Sequence, residues 1–227
     1  GWVIRLDADE VFSDILIDNI TEFVKSNQQI YAGLICIRRI CFMGYKIKYG
    51  GAAKCKTLRI FKNGRGYCEP RWMDEHILLE GKAKFIEGEI IDNNLNSFTW
   101  WVNKHNHYAS REAVDALDFK YKILSKDYLV DVKSNKNVEA NIKRSIKNSI
   151  YQRLPTGIRA LIYFVYRMIF RAGFLDGWRG WLFHFFQGFV YRMMVDVKID
   201  EVEEFMKQNG ATPSAAIKQI LNIDVKF

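Results

Sequence analysis

A short apolar run that ends directly in a group of acids opens the chain and narrows the choice of fold. Trp2 to Leu6 predicts a buried strand, and Asp7-Ala8-Asp9-Glu10 follows at its carboxyl end. Ser13 then predicts the N-cap of a helix whose apolar residues repeat at helical spacing to about Asn27. Open α/β sheets bind ligands at the carboxyl ends of their strands. The order of strand, acids and helix therefore predicts an α/β fold with an acidic ligand site near the amino terminus.

The middle of the chain continues this alternation. Ile30 to Ile37 is apolar on both alternating faces, which is typical of a central strand covered on two sides. Lys56 to Lys62 and Ala83 to Ile91 predict two further strands. A long helix is then predicted from Ser110, with apolar residues at helical spacing. We therefore expect an α/β domain over residues 1–130 and a mainly helical extension over 131–227.

The extension is basic and rich in aromatic residues. Lys143 to Val195 contains nine Lys or Arg residues, one acid, and thirteen of the 33 aromatic residues. This segment alone accounts for the net charge of +8 of the whole chain. Aromatic rings interleaved with arginine suit an anionic membrane surface, although the same spacing is typical of helices that pack on a domain or on a second subunit. Asp200 to Leu221 predicts one or two amphipathic helices, interrupted near Asn209-Gly210 and Pro213.

The cysteines and the hydropathy exclude two classes of protein. The four cysteines form no C-x-x-C pair and no zinc-finger spacing with histidine, so a structural zinc site is not expected and a reduced, cytosolic setting fits best. No signal-peptide pattern opens the chain. No apolar run reaches the roughly 18 residues of a membrane-spanning helix. We expect a protein that can lie on a membrane without crossing it.

Asp7 and Asp9 bracket one small residue at a predicted strand end, which suits a hard divalent ion such as Mg²⁺ or Mn²⁺. The alternative is a pair of solvated acids after a strand. The longer string Leu6-Asp7-Ala8-Asp9-Glu10 after Trp2-Val3-Ile4 resembles the metal-binding motif of family-2 glycosyltransferases. That resemblance implies an inverting enzyme with a Rossmann-like GT-A fold, in which Asp7 and Asp9 bind the metal and the diphosphate of a nucleotide-sugar.

A second motif, Arg71-Trp72-Met73-Asp74-Glu75-His76, resembles the acidic motif that supplies the catalytic base of the same family. An inverting transfer needs a carboxylate to take the proton of the attacking acceptor hydroxyl. The resemblance implies Glu75 or Asp74 in this role, with Glu75 slightly preferred because related sequences with a His-Glu pair place their Glu there. The alternative is an exposed loop or helix start.

A third run, Lys104-His105-Asn106-His107-Tyr108-Ala109-Ser110-Arg111-Glu112, is similar to a K-H-x-x-Y-A-x-R-E pattern in bacterial family-2 transferases of surface polysaccharide pathways. The resemblance implies that His107, or else His105 or Asp92, completes the metal shell or touches the diphosphate. It also implies that Lys104 and Arg111 offset phosphate charge. The alternative for each of these residues is a structural or merely exposed position.

One departure separates the chain from a complete enzyme of this family. Such an enzyme begins with a nucleotide-binding strand and turn, tens of residues before the D-x-D, whereas five residues precede Leu6 here. We therefore expect the nucleotide-binding part to be missing and the chain to be inactive alone.

The sequence favours a metal-dependent inverting glycosyltransferase of cell-surface polysaccharide assembly. Its expected partners are a nucleotide-sugar donor, a glycan or lipid-linked acceptor, and the anionic cytoplasmic face of the cell membrane. Nucleic acid is not expected as a partner, because it leaves the acidic motifs unexplained. The alternative class is a noncatalytic basic module that binds membranes or nucleic acid through residues 143–195.

Overall fold

The computed structural model describes residues 1–26, 30–51, 55–68, 76–123 and 155–225. These residues belong to two compact units. The first comprises Gly1–Ser97 and Tyr166–His184, and the second Phe98–Val165 and Phe185–Phe227. Strands and helices both contribute, so the predicted α/β class is confirmed. The predicted boundary near residue 130 lies outside the described residues and stays a prediction.

The described residues form eight strands and six α-helices, together with short segments of π- and 3₁₀-helix. The strands are β1 (Trp2–Ile4), β2 (Glu10–Phe12), β3 (Tyr31–Phe42), β4 (Tyr45–Lys46), β5 (Cys55–Lys62), β6 (Gly66–Cys68), β7 (Ile77–Leu79) and β8 (Lys82–Asn93). The helices are α1 (Asp14–Lys25), α2 (Phe98–Tyr121), α3 (Ile158–Val165), α4 (Gly177–Phe183), α5 (Tyr191–Asn209) and α6 (Pro213–Leu221).

A mixed six-stranded sheet forms the body of the first unit. Its strand order is β1-β5-β3-β8-β2, with β4 paired to β3, and β6 and β7 form a separate ribbon. β3 and β8 run parallel, while the other neighbours are antiparallel. The central position predicted for Ile30 to Ile37 is confirmed, because Leu34 and Cys36 of β3 are fully buried. The strands predicted around Lys56 to Lys62 and Ala83 to Ile91 are also present, as β5 and β8.

The first strand differs from its prediction. β1 ends at Ile4 and pairs only with β5 within the described sheet, so it is an edge strand and not a buried one. Ile4 is accordingly 49% exposed. An apolar run cannot distinguish an edge strand from a central one, because both carry large β-branched residues. The acids nevertheless follow β1, as predicted, with Arg5 and Leu6 between them.

Helix α1 begins where the sequence indicates and covers β8. The Ser13 hydroxyl accepts a hydrogen bond from the Leu16 backbone N–H, which makes it the predicted N-cap. Gly88 of β8 has φ +113°, and a Cβ added there would lie 2.6 Å from the Leu16 backbone. Only glycine therefore allows the helix to approach the sheet this closely. Leu16 and Phe23 fill the resulting core together with Leu34, Ile60 and Ile90.

The second unit is helical and packs α2, α5 and α6 against one another. Its core includes Ala109 and Ala113 of α2 with Tyr191 and Val195 of α5. The predicted start of α2 at Ser110 is wrong by about three turns, because the helix begins at Phe98. A ladder of aromatic rings along one face of α2 supports the helix over this polar stretch of the sequence.

The predicted break near the carboxyl terminus is confirmed. α5 ends at Asn209, and Gly210 adopts the left-handed conformation that commonly closes a helix. The Thr212 hydroxyl then accepts from the Ala215 N–H and caps α6, which starts at Pro213. Over the ranges that the structure describes, no helix has both the length and the apolar character needed to span a bilayer.

Candidate functional site: an acidic turn clamped by two arginines

The turn Asp7–Glu10 joins β1 to β2 and carries both aspartates of the D-x-D. Its two ends hold each other, since the Glu10 N–H donates to the Asp7 carbonyl (3.0 Å) and the Asp7 N–H donates to the Glu10 carboxylate (3.1 Å). The Asp9 carbonyl accepts from the Asn93 N–H at the end of β8 (2.9 Å). The backbone that presents the two aspartates is therefore fixed at three points.

Glu10 places a fully buried carboxylate beneath this turn. Arg59 of β5 donates to it over 2.7 Å, and the Nε of Arg38 of β3 lies 3.0 Å from the same oxygen. A buried carboxylate needs such charged partners to offset its lost hydration. Burial alone would lower the pKa of Arg59, but the hydrogen bonds and charges of Glu10 and Asp7 outweigh it and raise that pKa. Arg59 is thus a permanent cation at the site.

The two arginines extend the network to the neighbouring acids. Arg59 Nη2 lies 2.8 Å from Asp7 Oδ2, and Arg38 Nη2 lies 2.6 Å from Asp92 Oδ2. Asp92 is also directly opposite Glu10 in the β2–β8 ladder. The structure therefore brings Asp7 and Asp92, two of the residues that the sequence had singled out, into one network and holds the Asp9 backbone beside them.

Three carboxylates of this cluster share two guanidinium groups. Asp7 and Glu10 both contact Arg59, and Glu10 and Asp92 both contact Arg38. The Asp7 side chain is half exposed, so its carboxylate is accessible from solvent. Carboxylate oxygens are the ligands that a divalent cation such as Mg²⁺ or Mn²⁺ prefers. In the described ranges, no three His, Cys, Asp or Glu side chains form a metal-holding group.

Arg38 and Arg59 were missed by sequence reasoning, although a signal was present. Each lies next to an isoleucine in a strand of the central sheet, and a basic residue in such a place needs an acidic partner. Hydropathy marks the position but does not identify the partner. The pairing depends on the β3–β5 and β2–β8 registers, which place residues from four strands together.

The third motif lies on α2, in the second unit. His107 and Arg111 are exposed, and Lys104 Nζ lies 4.7 Å from the centroid of the Trp100 ring. They belong to a different compact unit from the acidic turn, so their assignment to the metal and the diphosphate stays a prediction. Glu112, at the end of the motif, accepts from the Tyr191 hydroxyl (2.7 Å) and pairs with Arg192, which ties α2 to α5.

His105 is part of the ring ladder on α2. Its ring stacks on Trp101 with centroids 3.5 Å apart, and its Nδ1 lies 2.8 Å from the Trp101 carbonyl oxygen. Phe98 and Tyr108 continue the ladder on either side. Burial lowers the pKa of His105, against the effect of its backbone hydrogen bond. These contacts favour the structural alternative for His105 over a role at phosphate.

Asp74 and Glu75 lie outside the described residues. His76, the last residue of their motif, is exposed immediately before β7. The assignment of a catalytic base to Glu75 or Asp74 therefore stays a prediction.

No protein-family model matches the chain, and no curated protein is significantly similar to it. The likeness to family-2 glycosyltransferases thus rests on the motifs themselves. Of those motifs, the acidic turn is the one whose geometry bears on function. It combines a fixed backbone with carboxylate oxygens that can bind a cation.

Proposed function

We propose that the chain is the metal-binding and acceptor-binding part of an inverting, GT-A-type glycosyltransferase. It would move a sugar from a nucleotide-sugar to a glycan or lipid-linked acceptor in cell-surface polysaccharide assembly, at the cytoplasmic face of the membrane. The observation that carries this proposal is that the Asp7–Glu10 turn and the Asp7 carboxylate are held in place by Glu10, Arg59 and Asn93. A cation site needs its ligands held in this way.

The proposed reaction is a single displacement at the anomeric carbon. The acceptor hydroxyl oxygen forms the new bond to that carbon as the bond to the diphosphate oxygen breaks, and Glu75 or Asp74 takes the hydroxyl proton. A divalent cation at Asp7 and Asp9 would neutralise the charge that develops on the departing diphosphate. Arg59 and Glu10 orient the Asp7 carboxylate through the 2.8 Å and 2.7 Å contacts.

Mn²⁺ binding tests the site without requiring turnover. Titration followed by electron paramagnetic resonance should show one bound Mn²⁺ per chain, and Asp7→Asn or Asp9→Asn should each weaken it at least about tenfold, since each removes a charged ligand. Asp18→Asn is the matched control, because it removes an exposed carboxylate from α1 of the same unit. Equal binding by Asp9→Asn and Asp18→Asn would refute the site.

The base is tested by sugar transfer in the active enzyme that contains this chain. Glu75→Gln should abolish transfer while leaving donor binding largely intact, because a general base acts only on the acceptor proton. Asp74→Asn is the comparison. Loss of transfer in Asp74→Asn alone would assign the base to Asp74, and normal transfer in both variants would remove the motif from the mechanism.

A further inference from the structure

The segment from Tyr166 to Trp178 of the first unit turns large apolar side chains to solvent. It consists of a turn of π-helix (Tyr166–Phe170), a turn of 3₁₀-helix (Gly173–Asp176) and the start of α4. Phe170 is 75% exposed and Trp178 is 70% exposed. The other exposed apolar side chains of the segment are Tyr166, Ile169, Phe174 and Leu175. Six such residues within thirteen positions form a surface that we name the apolar ridge.

Three polar residues of the same region point inward. Arg167, Asp176 and His184 are all at most 2% exposed. Arg167 donates to His184 Nδ1 (2.9 Å), so the other ring nitrogen carries the proton and donates to the Asp176 carboxylate (3.0 Å). A surface that faces water has the opposite arrangement, with charges outside and rings inside. This inversion is expected where the outer medium is apolar.

The apolar ridge is held firmly in its place in the first unit. The Asp176 carboxylate accepts from the backbone N–H groups of Lys48 and Tyr49, both at 2.9 Å. The Gly50 N–H donates to the Arg171 carbonyl (2.9 Å), and a Cβ on Gly50 would lie 2.0 Å from the His184 ring. The exposure of the rings is therefore built into the packing of this unit.

The charge around the apolar ridge is positive. Arg171 and Arg179 are exposed, whereas Asp176, the acid of residues 166–184, is buried. We propose that the apolar ridge is an interfacial anchor that inserts its rings into an anionic lipid bilayer, with Arg171 and Arg179 at the lipid phosphates. This inference goes beyond sugar transfer and does not depend on the acidic turn.

The geometry also separates this surface from the rest of the aromatic, basic sequence. Arg159 is buried against Asp196, and Arg192 pairs with Glu112. Phe183 and Tyr191 are buried core residues. Within the segment from Lys143 to Val195, the apolar ridge is thus the part of the first unit that presents rings and arginines to a membrane.

Vesicle flotation of the full chain tests the anchor. Wild type should float with phosphatidylcholine vesicles that contain about 30% phosphatidylglycerol, a composition that gives a negative surface potential. Phe170→Ser/Trp178→Ser should lower the partition coefficient on the order of 100-fold, about tenfold for each ring. Arg171→Gln should lower it about fivefold on these vesicles and leave binding to pure phosphatidylcholine unchanged.

Leu95→Ser/Phe119→Ser is the matched control, because it removes two exposed apolar side chains elsewhere on the chain and should float like wild type. Circular dichroism establishes that each variant is folded. Asp9→Asn should also float normally, so failure of the anchor is distinguishable from failure of the metal site. The proposal is overturned if Phe170→Ser/Trp178→Ser floats like wild type. It is equally overturned if wild type stays off vesicles and sedimentation shows a dimer that this variant dissociates.

Discussion

Replacement of Glu10 by glutamine tests whether the clamp beneath the acidic turn is an energetic unit. The amide fills the same volume but removes the one negative charge that faces both Arg38 and Arg59. Removing one partner of a buried ion pair typically costs about 3–5 kcal/mol, because the other charge is left buried and unpaired. Arg38 keeps Asp92 and Arg59 keeps Asp7, so we expect the lower end, about 3 kcal/mol.

Urea denaturation at neutral pH, followed by circular dichroism, measures this cost. A loss of about 3 kcal/mol shifts the midpoint by about 1–3 M at common denaturant slopes. Glu80→Gln is the control, because the Glu80 side chain is exposed and its carboxylate lies 4.0 Å from Arg65 Nη1, so its effect should stay within about 0.5 kcal/mol.

A double-mutant cycle separates lost charge from lost packing. Glu10→Gln/Arg59→Met should be more stable than the sum of the two single effects by at least about 1 kcal/mol, because the uncompensated guanidinium is gone. The clamp is not an energetic unit if Glu10→Gln lowers the free energy of unfolding by less than about 0.5 kcal/mol, or if the cycle shows no coupling between the two residues.

Three further outcomes follow from individual contacts. Burial and then a neighbouring arginine lower the pKa of His184, so the folded protein favours the neutral ring. The free energy of unfolding should therefore fall as pH drops below 6.5, and His184→Gln should flatten that dependence. Equal pH profiles for wild type and variant would contradict this prediction. Burial raises the pKa of Cys36 to about 11, so iodoacetamide at neutral pH should label exposed Cys55 and spare Cys36, as peptide mass spectrometry would show. Gly88→Ala should cost about 1–3 kcal/mol in urea, since its Cβ meets the Leu16 backbone; a neutral effect would refute that close approach.

Hydropathy and turn residues predicted elements in both units. The helix cap at Ser13, the central strand β3 and the break at Gly210 each depend on local chemistry, and each is present. The start of α2 was not predictable in this way, because the ring ladder from Phe98 supports a helix through contacts that composition does not reveal. Local signals located the elements, but not the contacts that extend them.

The candidate site shows the same division. Asp7 and Asp9 were identified from their spacing after an apolar run, while the arginine clamp required the strand registers that join β2, β3, β5 and β8. The apolar ridge is a second example. The sequence shows that the segment is rich in rings and arginines. It does not show that the rings lie outside a buried Arg167–His184–Asp176 network, because that arrangement depends on the turns of π- and 3₁₀-helix that break the regular helical spacing.

The most direct test of the metal-diphosphate site is pyrophosphate binding by calorimetry, with and without Mn²⁺, because pyrophosphate requires no knowledge of the nucleotide or the sugar. The acidic turn predicts binding that strengthens at least about tenfold with Mn²⁺, and a gain that Asp9→Asn abolishes and Asp18→Asn retains. Binding that is equally strong without Mn²⁺, falls with salt and is unchanged in Asp9→Asn would instead identify a basic anion-binding module and contradict the proposed transferase.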